Sequence, residues 1–479
     1  TAGAAAAAAL LAVALLWLLL AKPRGAPPTL GGLPLIGGAL AFFGGPMKLM
    51  AKAHKAHGQV FTVNVLHKRI TFLLGPEVSS HFYKAQDKLM SQKEVYEFNV
   101  PTFGRGVVFD VDHKKRAEQF RFFAETLKPH KLRTYVGMMV QEAEDYFGKF
   151  PDVCEVDINE TLSELIIFTA SRCLMGREIR ETLFDTVYKY FHDLDNGMQP
   201  ISVFFPYLPI EAHRKRDASR AKLAKIFSDV IQSRRARNAD EPDVMQGFMN
   251  ARYKNGEGMT DDQICGMLIA VLFAGQHTSS VTSTWTALFL AANKERCMAP
   301  LLEEQKAVVA EHGDELNYET LQQMDGLYRA IKEALRMHPP LIMLMRYAHE
   351  RFDVTDKDGR TYTVPKGDIC ATSPSFSMRL EHVFEEPGKY DPDRFAPGRE
   401  EDKKANFSFV GFGGGRHGCM GEVFAFLQVK TVLAYMMRNF EFELVNKGEF
   451  PEPNYDAMVV GPRTEGGKCM VRMRRRKLL

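Results

Sequence analysis

Cysteine is scarce in this chain of 479 residues: there are seven, at positions 154, 173, 265, 297, 370, 419 and 469, and no two form a C-x-x-C pair. Their odd number and scatter exclude a disulfide framework and supply no structural zinc pattern, so the folded part is expected to face a reducing compartment. A charge excess is missing too. With 62 Lys and Arg against 59 Asp and Glu the net charge is +3, which gives no argument for nucleic acid as a partner. There is no internal repeat and no clean linker within the bulk of the chain. What is left, 45% hydrophobic and 25% charged residues, is ordinary globular composition, long enough to bury a large core or two.

Uncharged apolar runs of membrane-spanning length are confined to the N-terminus. Ala2 to Ala21 carries no charge, and about 20 helical residues rising about 1.5 Å each just cross a hydrocarbon core of about 30 Å. A secretory signal peptide is the rival reading. Lys22 and Arg24 follow the run, however, and positive charge on that side retains the following chain in the cytoplasm. We therefore expect a transmembrane signal-anchor over 1–21. Pro23, Pro27, Pro28 and Gly31-Gly32-Leu33-Pro34 make 22–34 a stiff tether, and 35–479 is expected to be one catalytic domain.

That domain reads as mainly α with a minor β lobe. Gln59–Leu66 and Lys68–Leu74 alternate like a hairpin, and helical patterns dominate from Pro76 to about Met337. Strand signals return at Tyr347–Val354 and Thr361–Val364, around the turn composition Asp356-Lys357-Asp358-Gly359. The longest helical pattern opens on Thr260-Asp261-Asp262-Gln263, a capping box, and is expected to reach about Lys294. It is apolar on every side from Met267 to Ala274, which implies burial. Gln276, His277, Thr278, Ser279 and Ser280 then break the run, leaving it too short for a span. A glycine and hydroxyls in mid-helix can loosen the backbone ladder and admit a ligand. The plain alternative is a Thr278 hydroxyl bonded to the Ala274 carbonyl.

The most telling segment is Phe412-Gly413-Gly414-Gly415-Arg416-His417-Gly418-Cys419-Met420-Gly421. A glycine-rich loop running into an apolar helix lets backbone approach a flat macrocycle, and the helix N-terminus near Met420 points amides at the sulfur and favours thiolate. Cys419 therefore reads as a haem iron ligand, and a thiolate opposite bound oxygen favours O–O cleavage. Arg416 and His417 can reach the haem carboxylates. The same letters, Gly413-x-Gly415-x-x-Gly418, also form a dinucleotide fingerprint, with Phe407–Phe412 and Phe440–Leu444 as strands about the helix Val423–Met437. Too little chain follows Leu444 for that fold, and the preceding chain is mostly helical. A merely buried thiol is the third reading, and it leaves the neighbouring glycines unexplained.

Ala274-Gly275-x-x-Thr278, Glu333-x-x-Arg336, Pro392-x-Arg394-Phe395 and the Cys419 loop, in that order, together resemble a cytochrome P450 from the anchor to the C-terminus. His277 before Thr278 and His417 two before Cys419, with Tyr96-x-x-x-x-Pro101-x-Phe103-Gly104-x-Gly106-Val107, resemble the sterol 14α-demethylase branch, trypanosomatid and plant members above all.

The resemblance implies a cytochrome P450 fold in which Glu333, Arg336 and Arg394 clasp the back of the haem. Haem b would be bound through Cys419, with His417, Arg346 and Tyr96 at its propionates and Phe412 and Gly413 in the cradle. Ala117 stands where a further basic contact is usual, leaving Lys115, Arg116 or Arg121 to replace it. Tyr96, Phe98, Phe103, Phe109, Ala270, Phe273, Ala274, Met343 and Met458 match substrate-lining positions, although each is also compatible with plain core. His277, Thr278 and Asp217 match catalytic positions, Asp217 pairing with His277 as a proton relay. The alternative is a His277 that only hydrogen-bonds within the core.

By the same resemblance the reaction is removal of a sterol 14α-methyl group in three oxidations: to alcohol, to aldehyde, then loss as formate with a new 14,15 double bond. Phe98 would crowd a second C4 methyl and favour C4-monomethylated sterols such as obtusifoliol. Burying roughly 500 Å² of steroid at about 25 cal/mol per Å² is worth about 12 kcal/mol gross, against about 1 kcal/mol for a hydrogen bond, so shape selects the substrate. No flavin or iron-sulfur motif accompanies the loop. O2 as co-substrate therefore implies NADPH-cytochrome P450 reductase as electron donor, and azole inhibitors would ligate the iron. The implied place is the endoplasmic reticulum membrane, single-pass, with the catalytic part cytoplasmic and no nucleic acid partner. A cytochrome P450 hydroxylating fatty acids or xenobiotics, a haem-thiolate isomerase or dehydratase, and a non-catalytic haem or nucleotide binder are the rival functions. Phe191–Ile210, with its apolar residues among prolines, reads as a membrane-dipping segment or a buried loop. Arg472, Arg474, Arg475, Arg476 and Lys477 read as a headgroup-binding or solvated tail.

Overall fold

The computed structural model describes residues 25–30, 37–66, 68–446, 450–455, 459–464, 466–476 and 478. The expected anchor, most of the tether, and Met458 and Lys477 lie outside the described residues. The chain packs as two compact units, one from the N-terminal part through Ser91 with Met345–Thr372, the other Gln92–Leu344 with Ser373–Leu479.

The first unit is built on a five-stranded sheet ordered Val60–Val65, Lys68–Leu73, Ile369–Thr372, Leu344–Ala348, Met90–Ser91. The expected hairpin is there, Val60 opposite Leu73 and Val65 opposite Lys68. Residues 25–30 of the tether continue it: Leu30 donates to the Thr62 carbonyl at 2.9 Å and Thr62 to that of Pro28 at 2.8 Å. The run Tyr347–Val354 does not form one strand. It divides into Leu344–Ala348 and Phe352–Thr355, and the second pairs antiparallel with Thr361–Val364 across the expected turn.

The second unit is a helical body around the central helix Asp261–Ala292, which ends two residues before the expected Lys294. The capping box forms, with the Thr260 side chain accepting from the Gln263 amide and the Gln263 side chain accepting from the Thr260 amide. Ile264–Ile269 and Ser279–Ala291 are buried, whereas over 270–278 Leu272 alone is. Hydroxyl groups do not unwind this helix: Thr278, Thr282, Ser283, Thr284 and Thr286 each donate to the carbonyl four residues back at 2.7–2.8 Å.

The C-terminal basic segment is not a free tail, since 470–475 form a strand. Met470–Arg475 is the middle strand of a three-stranded antiparallel sheet between Val153–Asp157 and Phe440–Leu444. Arg472 meets Glu155 at 2.8 Å, and Arg475 donates to the carbonyls of Phe147 and Phe150. Its alternating side chains, Val471 and Met473 buried, are the period-2 signal that the density of arginines obscured.

The same sheet removes the dinucleotide reading. Phe440–Leu444 pairs antiparallel, and Phe407–Phe412 is not a strand, Phe407 having a left-handed φ of 66°.

Candidate active site

The cysteine loop is shaped by glycine conformation. Gly413 and Gly415 adopt φ of 71° and 63°, angles that side-chain-bearing residues adopt at a cost. The chain turns through a short 3-10 segment, Gly415–His417, and closes where the Cys419 amide donates to the Phe412 carbonyl at 2.9 Å. The helix Glu422–Asn439 follows, starting two residues later than Met420.

Cys419 is exposed, whereas the six other cysteines are buried or half-buried. Protein crowds the sulfur on most sides, and this desolvation raises its pKa; the Gly421 amide opposes the shift and the Glu422 carboxylate adds to it. The expected amide support is thus present but does not by itself make a thiolate. A coordinated metal deprotonates a thiol outright, so the open face and the amide together suit a ligand held by iron. Phe412, Gly413 and His417 are half-buried around it and Arg416 is exposed. Arg346 belongs to the first unit, where it is buried, donates to the Phe82 carbonyl and lies over the Phe82 ring at 4.3 Å.

Behind the loop the expected clasp is formed. Glu333, Arg336 and Arg394 are fully buried. Arg336 donates through Nε to Glu333 Oε2 at 2.8 Å and through Nη2 to Oε1 at 2.9 Å, and Arg394 Nε donates to Oε1 at 2.9 Å. Buried charges need full hydrogen-bonding, and it is supplied by the Met378, Pro387 and Glu385 carbonyls at 2.9 Å. A fourth member was not foreseen: Glu401 accepts from Arg394 Nη1 at 2.8 Å and from the Glu385 amide at 3.0 Å. Nothing in the local sequence marked this glutamate apart from its surface neighbours.

The aromatic lining residues come together as a string of rings. Centroids are 6.4 Å apart for Phe98 and Tyr96, 5.5 Å for Tyr96 and Phe109, 6.2 Å for Phe109 and Phe103, and 6.1 Å for Phe103 and Phe273. Phe191, which the sequence places only at the start of the segment Phe191–Ile210, is buried in the helix Phe184–Asn196 and extends the string at 5.8 Å from Phe273. Ala270 is half-buried and Ala274 exposed on the central helix, Gly275 has open space where a Cβ would stand, and Met343 is half-buried.

Glycines set how closely the Phe103 loop approaches that helix. A Cβ on Gly266 would stand 2.4 Å from the Phe103 carbonyl oxygen, and one on Gly104 would stand 2.3 Å from Arg220 Nη2. Gln119 fastens the same loop, accepting from the Val108 amide at 3.0 Å and donating to the Gly106 carbonyl at 2.8 Å.

The structure distinguishes the three basic residues left open near position 117. Lys115 lies over the Tyr253 ring and Arg121 faces Glu118 at 3.9 Å. Arg116 lies over Phe109 at 5.1 Å, the ring that stacks on Tyr96, and donates to Gln92.

One expected pair is corrected. Asp217 accepts from its neighbour Arg216 at 2.8 Å and is exposed, whereas His277 Nε2 lies 3.3 Å from Asp195 Oδ1. Arg216 is buried and also holds the Pro206 carbonyl at 3.1 Å, so Asp217 is tied to the loop preceding its own helix. Thr278 Oγ1 donates to the Ala274 carbonyl at 2.7 Å, as in the plain reading, and its lone pairs remain able to accept.

Comparison with known proteins adds the following. The sequence profile of the family described as Cytochrome P450 matches residues 27–469. The chain is 56% identical over 454 residues to the obtusifoliol 14-alpha demethylase of Sorghum bicolor, covering 95% of this chain and 91% of that protein. It is 57% identical over 459 residues to the sterol 14-demethylase of Arabidopsis thaliana, covering 95% and 93%. Against the lanosterol 14-alpha demethylase of Rattus norvegicus it is 37% identical over 451 residues, covering 92% and 87%. The solved structure of a retinoic acid bound cyanobacterial CYP120A1 superposes with a TM-score of 0.81 at 21% identity, covering 95% of this chain and all of that one, and so shares the fold.

Proposed function

This chain belongs to the cytochrome P450 family, and from that membership we propose that it is a sterol 14α-demethylase preferring C4-monomethylated substrates such as obtusifoliol. It removes the 14α-methyl group in three oxidations, the last releasing formate and leaving a 14,15 double bond. Identity of 56–57% with two plant demethylases over 95% of the chain supports the reaction, and the one exposed cysteine, Cys419, supports the chemistry.

The residues present fit the haem that the family implies: an open thiol backed by an amide, and a glycine loop without side chains in the way. Cys419 would hold the iron, with Arg416, His417, Tyr96 and Arg116 as the groups for the propionates. Bound there, a haem supplies oxygen activation, favoured by thiolate donation.

The chain's own residues do the rest. The ring string from Phe98 to Phe191 and the open helical face at Ala270, Ala274 and Gly275 form an apolar surface that orients a sterol by shape. Thr278 offers hydroxyl lone pairs beside that face, and His277 next to it serves as a proton donor.

Electrons would come from NADPH-cytochrome P450 reductase, and azoles would bind the haem iron. We place it in the endoplasmic reticulum membrane as a single-pass protein anchored through 1–21, which lie outside the described residues. A second membrane contact is the tip Ile201, Phe205, Tyr207 and Leu208, whose last three side chains are 54%, 67% and 40% exposed. The tip is a held structure: Ser202 and His213 are buried beneath it at 2.8 Å, and His213 Nδ1 meets the Leu208 carbonyl at 2.7 Å. Apolar tips with fixed backbones suit insertion into a bilayer surface.

Reconstitution with reductase tests this. Formate release from obtusifoliol with a thiolate-type carbon monoxide difference band is the expected result. Hydroxylation of fatty acids without sterol turnover would replace the reading by the fatty-acid or xenobiotic alternative.

A further inference from the structure

Arg220 joins three elements through one nitrogen. It is buried on the helix Glu211–Ala236, and its Nη2 donates to the Phe103 carbonyl at 3.3 Å and to Oδ1 of Asp262, in the first turn of the central helix, at 3.0 Å. Building on the demethylase reading, we propose that Arg220 is the positioning residue of Phe103: it latches the loop bearing that ring against the two helices, and the firmness of the latch sets how fast a bound sterol leaves.

Four observations carry this. First, the carbonyl that Arg220 holds ends the short helix Val100–Phe103 and belongs to the residue whose ring stands between Phe109 and Phe273 in the string. A shift of that backbone moves the ring. Second, the approach is shaped for a guanidinium: Gly104 has φ of 102°, and a Cβ there would stand 2.3 Å from Arg220 Nη2, so glycine is what lets the arginine reach the loop. Third, stability does not account for the arrangement. Arg336 and Arg394 face the buried carboxylates Glu333 and Glu401, whereas the Asp262 side chain opposite Arg220 is 59% exposed. A desolvated cation with so solvated a partner recovers little of its burial cost. Fourth, Arg216, four residues earlier and therefore on the same helix face, holds the Pro206 carbonyl of the apolar tip at 3.1 Å. One helix thus carries the fastenings of both the tip and the Phe103 loop.

The test uses the holoenzyme with Arg220→Met, which removes the charge and the donors, Arg220→Lys, whose ammonium can serve both acceptors, and Lys225→Ala, at an exposed position of the same helix. Two quantities are read: the dissociation rate of obtusifoliol, followed by reversal of the sterol-induced spectral shift, and hydrogen–deuterium exchange at amides 100–110. Arg220→Met is expected to raise both several-fold, with exchange over 211–236 and 261–292 unchanged, and to raise KM while kcat holds. Arg220→Lys restores both, and Lys225→Ala alters neither. An unchanged dissociation rate in Arg220→Met, or exchange that rises equally along both helices, as when an arginine merely holds the fold, overturns the proposal. Failure of the demethylase reading is seen separately, as absence of a sterol-induced spectral shift in the unaltered protein, and the exchange at 100–110 then decides the latch by itself.

Discussion

Arg394 Nε donates to Glu333 Oε1 at 2.9 Å with both side chains out of solvent, although 61 residues separate them in the chain. Glu333 also neutralises Arg336 at 2.8 Å, so one carboxylate serves two buried guanidinium groups. Removing one partner of a buried pair strands the other at about 3–5 kcal/mol. Glu333→Gln strands Arg336, while Arg394 keeps the Glu401 carboxylate at 2.8 Å, and we expect loss of that order with little haem-loaded protein recovered, measured by denaturant unfolding and by haem absorbance per chain.

The proposed chemistry rests on Cys419. Cys419→Ser removes the soft ligand while keeping the size, so the reduced, carbon-monoxide-bound spectrum is expected to lose its thiolate-type band and sterol turnover to fall to background. Persistence of the band would show that another residue holds the iron.

Phe98 is buried and joined to Tyr96 through ring contact. A single methyl in an apolar pocket is worth about 1–3 kcal/mol, or roughly 10–200-fold in rate. Phe98→Leu should therefore bring C4-dimethylated sterols closer to obtusifoliol in kcat/KM by about tenfold. Equal ratios in the two proteins would remove Phe98 from substrate choice.

Gly266 admits the Phe103 carbonyl, and the added Cβ of Gly266→Ala would meet backbone oxygen at 2.4 Å and Val107 Cγ2 at 2.8 Å. Backbone cannot swing aside as a side-chain end does, so the loop must retreat, at about 1–3 kcal/mol. Thermal unfolding should show that loss and sterol titration a weaker affinity.

Lys430 is buried in the helix Glu422–Asn439, and desolvation lowers its pKa from 10.5 to about 8, partly offset by Glu304 and Asp325. The unfolded chain therefore binds this proton more readily than the folded one, and the group's contribution makes stability rise with pH between about 8 and 10.5. At neutral pH the charged lysine costs on the order of 3 kcal/mol. Lys430→Met should stabilise the protein at neutral pH and lose that advantage above pH 10, as read by unfolding at both values.

Much of this was legible because local patterns are short-range physics. The capping box at Thr260 formed as spaced, and the loop glycines Gly413 and Gly415 took left-handed angles. Where tertiary contacts outweighed local signals, the sequence misled: Phe407–Phe412 has strand composition but lies in a loop, and the arginine-rich C-terminus became the central strand of a sheet.

By itself the sequence determined the family, the three-residue clasp and which cysteine is the candidate ligand, because their residue types and spacing express chemistry that few other arrangements can perform. Only the tertiary structure decided that Glu401 completes the clasp, that Arg116 is the basic residue lying on Phe109, and that Asp195 meets His277 while Asp217 turns to Arg216. Those choices lie among acidic and basic residues that are alike in one dimension, and distance alone separates them once the helices pack.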